Sequence, residues 1–143
     1  MNENINFFFE DITKPSLDFK KIKTWLSSLI KAYNYELIEI NYILCSDKYL
    51  LDVNQEYLNH DYYTDIITFD NSEKQNTIEG DIFVSLERVK DNAKEHKEEF
   101  DKEIIRVHAH GVLHLLGYRD KTAEEITEMR NMEEKAIKDY INT

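Results

Sequence analysis

Two histidines inside an otherwise apolar helical run constrain this chain more than any other feature. Val107, Val112, Leu113, Leu115 and Leu116 surround His110 and His114, so the helix must be partly buried and both imidazoles need partners. Residues four apart lie one above the other on a helix face, which lets two imidazoles reach one metal ion. Gly111, between them, costs about 1 kcal/mol against alanine in a helix interior and points to a close approach of backbone or substrate there. Gly117 follows the apolar stretch and suits a left-handed C-terminal cap. The chain can then turn back and bring Asp120 toward the same ion.

The remaining chain fits one domain, residues 1–143, with 41% hydrophobic residues, three Gly and one Pro, a composition that supports a compact core. Cys45 is the sole cysteine and follows Tyr42, Ile43 and Leu44; it reads as a small buried hydrophobe in a reducing compartment. The first residues lack a basic segment and a small-residue cleavage site, and no apolar run reaches the length of a membrane span. The expectation is a cytoplasmic protein with no membrane partner. A formal charge of −11 opposes casual binding to nucleic acid, whose affinity comes from Lys and Arg. An RNA partner must therefore meet a local basic patch or a metal. Lys20, Lys21 and Lys23 are the candidate patch, although such a cluster also merely solubilises a helix. The acidic tracts Glu95 to Glu103 and Glu124 to Glu134 read as solvated helix faces.

Hydrophobic periodicity outlines the elements. Ile5 to Glu10 reads as a strand, and Leu17, Ile22, Trp25, Leu26, Leu29, Ile30 and Tyr33 recur at helical spacing. Glu36 to Cys45 alternates as a strand. Asp47 is expected to cap a short helix ending near Tyr57. Asp65 to Phe69 and Gly80 to Ser85 are two strands that can pair as a hairpin. Helices follow over Ser85 to Lys97 and Glu99 to Leu116. Thr122 and Glu125 form a capping box opening the last helix, with Ile126, Met129, Ala136, Ile137 and Tyr140 facing inward. The class is α+β: a small mixed sheet of about four strands packed with about five helices.

The pattern His-x3-His-x2-Gly-x2-Asp has the spacing of metzincin zinc sites, with Asp120 in place of the third ligand. Imidazole and carboxylate ligands suit one Zn2+, or another divalent metal, and three ligands leave an open position. Asp120 also reads as a cap on the final turn, in which case an upstream histidine would have to replace it. His108 lies about 200° around the helix from His110 and reads as structural, while His60 and His96 read as surface residues.

These residues resemble the YbeY-type endoribonucleases, bacterial rRNA maturation factors. The resemblance covers Asn54 and Tyr57, Tyr63-Thr-Asp65-Ile-Ile-Thr-Phe69, Gly80-Asp-Ile-Phe-Val-Ser85 and the motif from His110 to Tyr118. It implies an α+β domain, a zinc held by three side chains, cleavage of single-stranded RNA, and a role in 16S rRNA 3′ end processing and ribosome quality control with the ribosomal subunit as partner. Two positions depart from the family. Asp120 aligns with its third histidine ligand, and Leu58 stands where an arginine implicated in catalysis is common. Arg119 or His60 is a candidate to meet transition-state charge, although Arg119 reads equally as a solvated turn residue.

Gly111 occupies the place of the general-base Glu in His-Glu-x-x-His peptidases, so peptide hydrolysis by that route lacks its proton acceptor. Asp65 and Asp81, both at strand starts, are candidate bases; each could instead pin a turn. Three readings stand: a metal-dependent endoribonuclease, a metallopeptidase-like hydrolase, and a non-catalytic ribosome-associated factor with a structural metal. Oligomeric state is not legible in the sequence.

Overall fold

The computed structural model describes residues 4–143. Four strands, β1 (Ile5–Glu10), β2 (Glu36–Cys45), β3 (Ile66–Asp70) and β4 (Thr77–Ser85), form one sheet in the order β1-β2-β4-β3. The first three in that order are parallel, and β3 pairs antiparallel to β4 at the edge. Five helices complete the described chain: α1 (Phe19–Ala32), α2 (Asp47–Leu58), α3 (Leu86–Glu95), α4 (Phe100–Leu115) and α5 (Ala123–Ile141). The expected α+β class with a four-stranded mixed sheet and five helices is what the structure contains.

Register sorts the strand residues onto two faces. Ile5, Ile40 and Gly80 share one row, and Phe7, Tyr42, Ile82 and Thr68 the next. This face packs with the apolar stripes of α1, α4 and α5 in the main core. Ile43, Phe83 and Ile67 point the other way, where α2 adds Leu50 and Val53 to a smaller cluster with Cys45. Trp25 of α1 locks onto α5 by donating its indole N–H to the Ala136 carbonyl at 2.8 Å.

Several local expectations change. Ser46 caps α2 through its hydroxyl, and Asp47 is the first helical residue, with its carboxylate 2.7 Å from Arg88. Ile126 is exposed; the inward stripe of α5 runs through Met129, Glu133, Ala136 and Ile137. Glu103 and Glu133 are buried, so the acidic tracts are not wholly solvated faces. Both pair with Arg106 of α4, one turn along the same helix from Glu103 and across the helix contact from Glu133.

Two glycines permit close approaches. A Cβ on Gly80 would stand 2.5 Å from the Phe69 carbonyl oxygen, and one on Gly111 would stand 3.0 Å from Ile82 Cδ1 and 3.1 Å from Ile66 Cδ1. Gly111 therefore seats α4 on the sheet; the close neighbour is the core, not substrate. Gly80→Ala is expected to destabilise the fold by about 2 kcal/mol, because a backbone oxygen cannot yield as a side-chain tip can. A urea denaturation series should show a larger loss for Gly80→Ala than for Gly111→Ala.

His108 is fully buried, its ring tilted at 38° against Tyr42 with 4.6 Å between centroids and its Nδ1 2.6 Å from the Ile104 carbonyl oxygen. Burial pushes its pKa down to about 4, against the lesser opposing effect of that hydrogen bond. The folded state thus binds the proton less readily than the unfolded chain, so its stabilising contribution is full above about pH 6.5 and is lost as pH falls toward 4. Between pH 7 and 5 the loss attributable to His108 should be about 2 kcal/mol. Comparison of the unfolding free energies of the wild type and His108→Leu over that range checks it: the variant should have the shallower slope.

Candidate metal centre

The C-terminal end of α4 presents the site. His110 and His114 lie one turn apart, and their Nε2 atoms are 2.9 Å from each other. Beyond Leu116 the chain closes a Schellman turn: the Gly117 N–H donates to the His114 carbonyl and the Tyr118 N–H to the Leu113 carbonyl, with Gly117 at φ 103°. That reversal returns Asp120, whose Oδ2 stands 3.3 Å from His110 Nε2 and 3.4 Å from His114 Nε2. The three ligand atoms lie within 4.8 Å of one another, a group that could hold a metal ion.

Ring tautomers follow from the other nitrogens. His110 Nδ1 is 2.6 Å from the Glu133 carboxylate, and His114 Nδ1 is 2.9 Å from the Tyr118 carbonyl oxygen. Both partners are acceptors, so each Nδ1 carries the proton and each Nε2 presents a lone pair to the cluster. Two lone pairs and a carboxylate oxygen facing one point repel each other unless a proton or a metal cation lies between them. The donor set therefore fits a divalent ion with imidazole and carboxylate preferences. Burial opposes a proton on His110, but the Glu133 hydrogen bond and the charges of Glu133, Asp120 and Asp65 outweigh it, and the pKa is raised.

Glu133 was not legible as a site residue. It is 4% exposed, and its second oxygen lies 3.3 Å from the buried Arg106 guanidinium. Arg106 also pairs with Glu134 at 2.8 Å and with Glu103 at 3.5 Å. Desolvation raises the Glu103 pKa although the Arg106 charge opposes it. A carboxylate behind a ligating histidine is the usual way of fixing such a ring, yet in the sequence it looked like one of many surface glutamates. The only available signal was its heptad-like spacing with Met129 and Ala136.

A groove of about 590 Å³ opens on the cluster, lined among others by Asn54, Leu58, His60, Tyr62, Asp65, Asp70, His110, His114 and Asp120. Asp65 is thus brought to the cluster; Asn92 Nδ2 donates to its carboxylate at 3.4 Å. Asp81 is not. It shares a row with Asn41 and Phe69 on the sheet face away from α4 and accepts from Asn41 at 3.1 Å, because one residue of register decides which face a strand side chain takes. Arg119 is exposed and does not line the groove. Nor do Lys20, Lys21 and Lys23, whose helix packs elsewhere in the core; Lys21 lies over the Tyr140 ring at 4.3 Å.

Fold and site together define a class: a single α+β domain that carries a His-His-Asp cluster, able to hold one metal ion, at the end of a buried helix. Residues 8–141 match the family model described as endoribonuclease YbeY. The endoribonuclease YbeY of Cytophaga hutchinsonii is 51% identical over 138 residues, 96% of either chain. That of Flavobacterium johnsoniae is 50% identical over 93% of this chain and 94% of its own. The solution structure of TM1509 from Thermotoga maritima is similar at a TM-score of 0.69 and 28% identity, covering 94% of this chain and 88% of that one. The chain belongs to the endoribonuclease YbeY family.

Glu133 probes the cluster's capacity for an ion without removing any of its three candidate ligand atoms. Glu133→Ala is expected to weaken Zn2+ affinity about 10- to 100-fold, with Glu133→Gln between it and the wild type because an amide oxygen still accepts from Nδ1–H. Asp120→Ala, which removes a ligand atom, should cost more. Competition titration with a chromogenic chelator measures all three.

Proposed function

We propose that this protein is a zinc-dependent endoribonuclease that cleaves single-stranded RNA, acting in the cytoplasm on the 3′ end of 16S rRNA and in quality control of the ribosomal subunit. The observation that carries the reading is the pair of Nε2 lone pairs and the Asp120 oxygen converging at the floor of an open groove. Relatives named endoribonuclease YbeY at up to 51% identity support the reaction class. A divalent ion held there supplies Lewis acidity toward a phosphoryl oxygen and a more acidic water.

The chain's own groups divide the remaining work. Glu133 and the Tyr118 carbonyl hold the two imidazoles in the tautomer that leaves Nε2 free. Arg106 pairs with the Glu133 carboxylate inside the core, where a buried charge without a partner would be costly. Asp65 lines the groove with the candidate ligands and, of Asp65 and Asp81, is the one available to accept the proton of an attacking water. Asp81 and Arg119 have no part in this assignment, since neither side chain reaches the groove. Gly111 lies against Ile82 and Ile66, so the position that carries the base in zinc peptidases faces the sheet.

Incubation with rRNA fragments and with casein tests the reading. Zn2+-loaded protein should cut the unpaired RNA and leave casein intact; chelation should abolish cutting, and restored Zn2+ should recover it. His114→Ala should lower turnover by two orders of magnitude or more (about 10²-fold). Cys45→Ser should retain turnover, because burial pushes the Cys45 thiol up to about 12 and keeps it a neutral core group. Cleavage by fully chelated protein would refute the metal mechanism.

A further inference from the structure

The groove poses an electrostatic difficulty for any RNA ligand. Asp65, Asp70 and Asp120 line it, and no lysine or arginine stands among its described lining residues. Phosphate neutralisation, the ordinary source of nucleic-acid affinity, is therefore weak along these walls, and the whole chain carries −11. An ion at the His110–His114–Asp120 cluster can meet one phosphate; the rest of the affinity must come from another part of the nucleotide.

The end of α2 and the turn after it carry exposed aromatic rings, and that of Tyr62 reaches the groove. Tyr57, Tyr62 and Tyr63 are 65%, 55% and 53% exposed, which is unusual for large side chains so close in sequence. Tyr62 and His60 both line the groove; their rings stack at 5.1 Å and 22°, and the Tyr62 hydroxyl is 2.9 Å from His60 Nδ1. Beside them the Arg88 guanidinium lies over the Tyr63 ring at 5.0 Å. The turn is preformed. Asn54, 1% exposed, donates its side-chain amide to the Tyr62 carbonyl at 2.9 Å and accepts the His60 N–H on its own carbonyl at 3.1 Å. Asn59 holds the left-handed conformation at the helix end, φ 58°.

A buried asparagine that pins a turn while leaving the ring of that turn half in solvent is an arrangement for presenting the ring. From this geometry we infer that Tyr62, backed by His60, is a stacking platform for an unpaired nucleobase beside the metal centre; the inference rests on the nuclease reading for the identity of its ligand. Bases in a duplex have no free face to offer, so the platform also selects single strands. Stacking is indifferent to the acidity of the groove, and one base on one ring contributes about 1–3 kcal/mol.

Fluorescence anisotropy with the full-length, metal-loaded protein tests the platform. The probe is a labelled single strand of about ten nucleotides, made as DNA so that cleavage does not intervene; stacking does not involve the sugar. Tyr62→Ala should raise Kd roughly tenfold, whereas Tyr62→Phe, which keeps the ring and loses the His60 hydrogen bond, should stay within about twofold. A strand whose bases are replaced by abasic sites should bind the wild type weakly and be insensitive to Tyr62→Ala. Unchanged affinity in Tyr62→Ala, or equal binding of the abasic strand, overturns the platform; the abasic comparison decides even if the variant folds poorly. Protein that stacks bases as described yet leaves RNA uncut would remove the nuclease reading and keep the platform. RNA cleavage with no dependence on Tyr62 or on the bases would do the reverse.

Discussion

The Arg106–Glu133–His110 chain is the interaction on which the rest of the site depends. A carboxylate with almost no solvent contact is costly unless paired and hydrogen-bonded, and Glu133 is both: Arg106 lies 3.3 Å from one oxygen, and His110 Nδ1 lies 2.6 Å from the other. The pairing ties α5 to α4 through their buried faces and sets the His110 tautomer in the same contact. Because Arg106 also serves Glu134 and Glu103, two acidic helices converge on one guanidinium. Its planar fork can satisfy several carboxylates at once, which an ammonium would do less well.

Geometry around α4 is equally economical. Gly111 lets the helix lie against Ile82 and Ile66, while His110 beside it faces the groove and the Glu133 carboxylate of α5. The Schellman turn at Gly117 then satisfies the last carbonyls and reverses the chain within three residues of Asp120. The cluster is thus assembled from one helix end and the turn that terminates it, with its orienting carboxylate supplied by the next helix. Local chain geometry brings the ligands together; tertiary packing makes them rigid.

The acidic character of the molecule extends into the groove, so the charged surface does not by itself explain a nucleic-acid substrate. Aromatic side chains on the turn after α2 are the feature that fits such a ligand chemically, and they stand on the same groove as the cluster. Leu58, half exposed on that wall, adds apolar surface where an arginine is common in the family.

The features legible in the chain alone are those that short-range rules govern. The 3.6-residue stripe of α1, the alternation in β2, the Thr122–Glu125 capping box and the Gly117 reversal were all readable, because each is decided by residues within a few positions. The convergence of His110, His114 and Asp120 was readable for the same reason, since all three lie within eleven residues. Only the tertiary structure decided that Glu133, 23 residues from His110, is buried behind it while the neighbouring glutamates of α5 are not, that Asp65 reaches the groove while Asp81 turns to the far face of the sheet, and that the lysines of α1 stay away from it. Those outcomes depend on which faces of distant elements pack together, and a single chain position carries no mark of its partner until the core has formed.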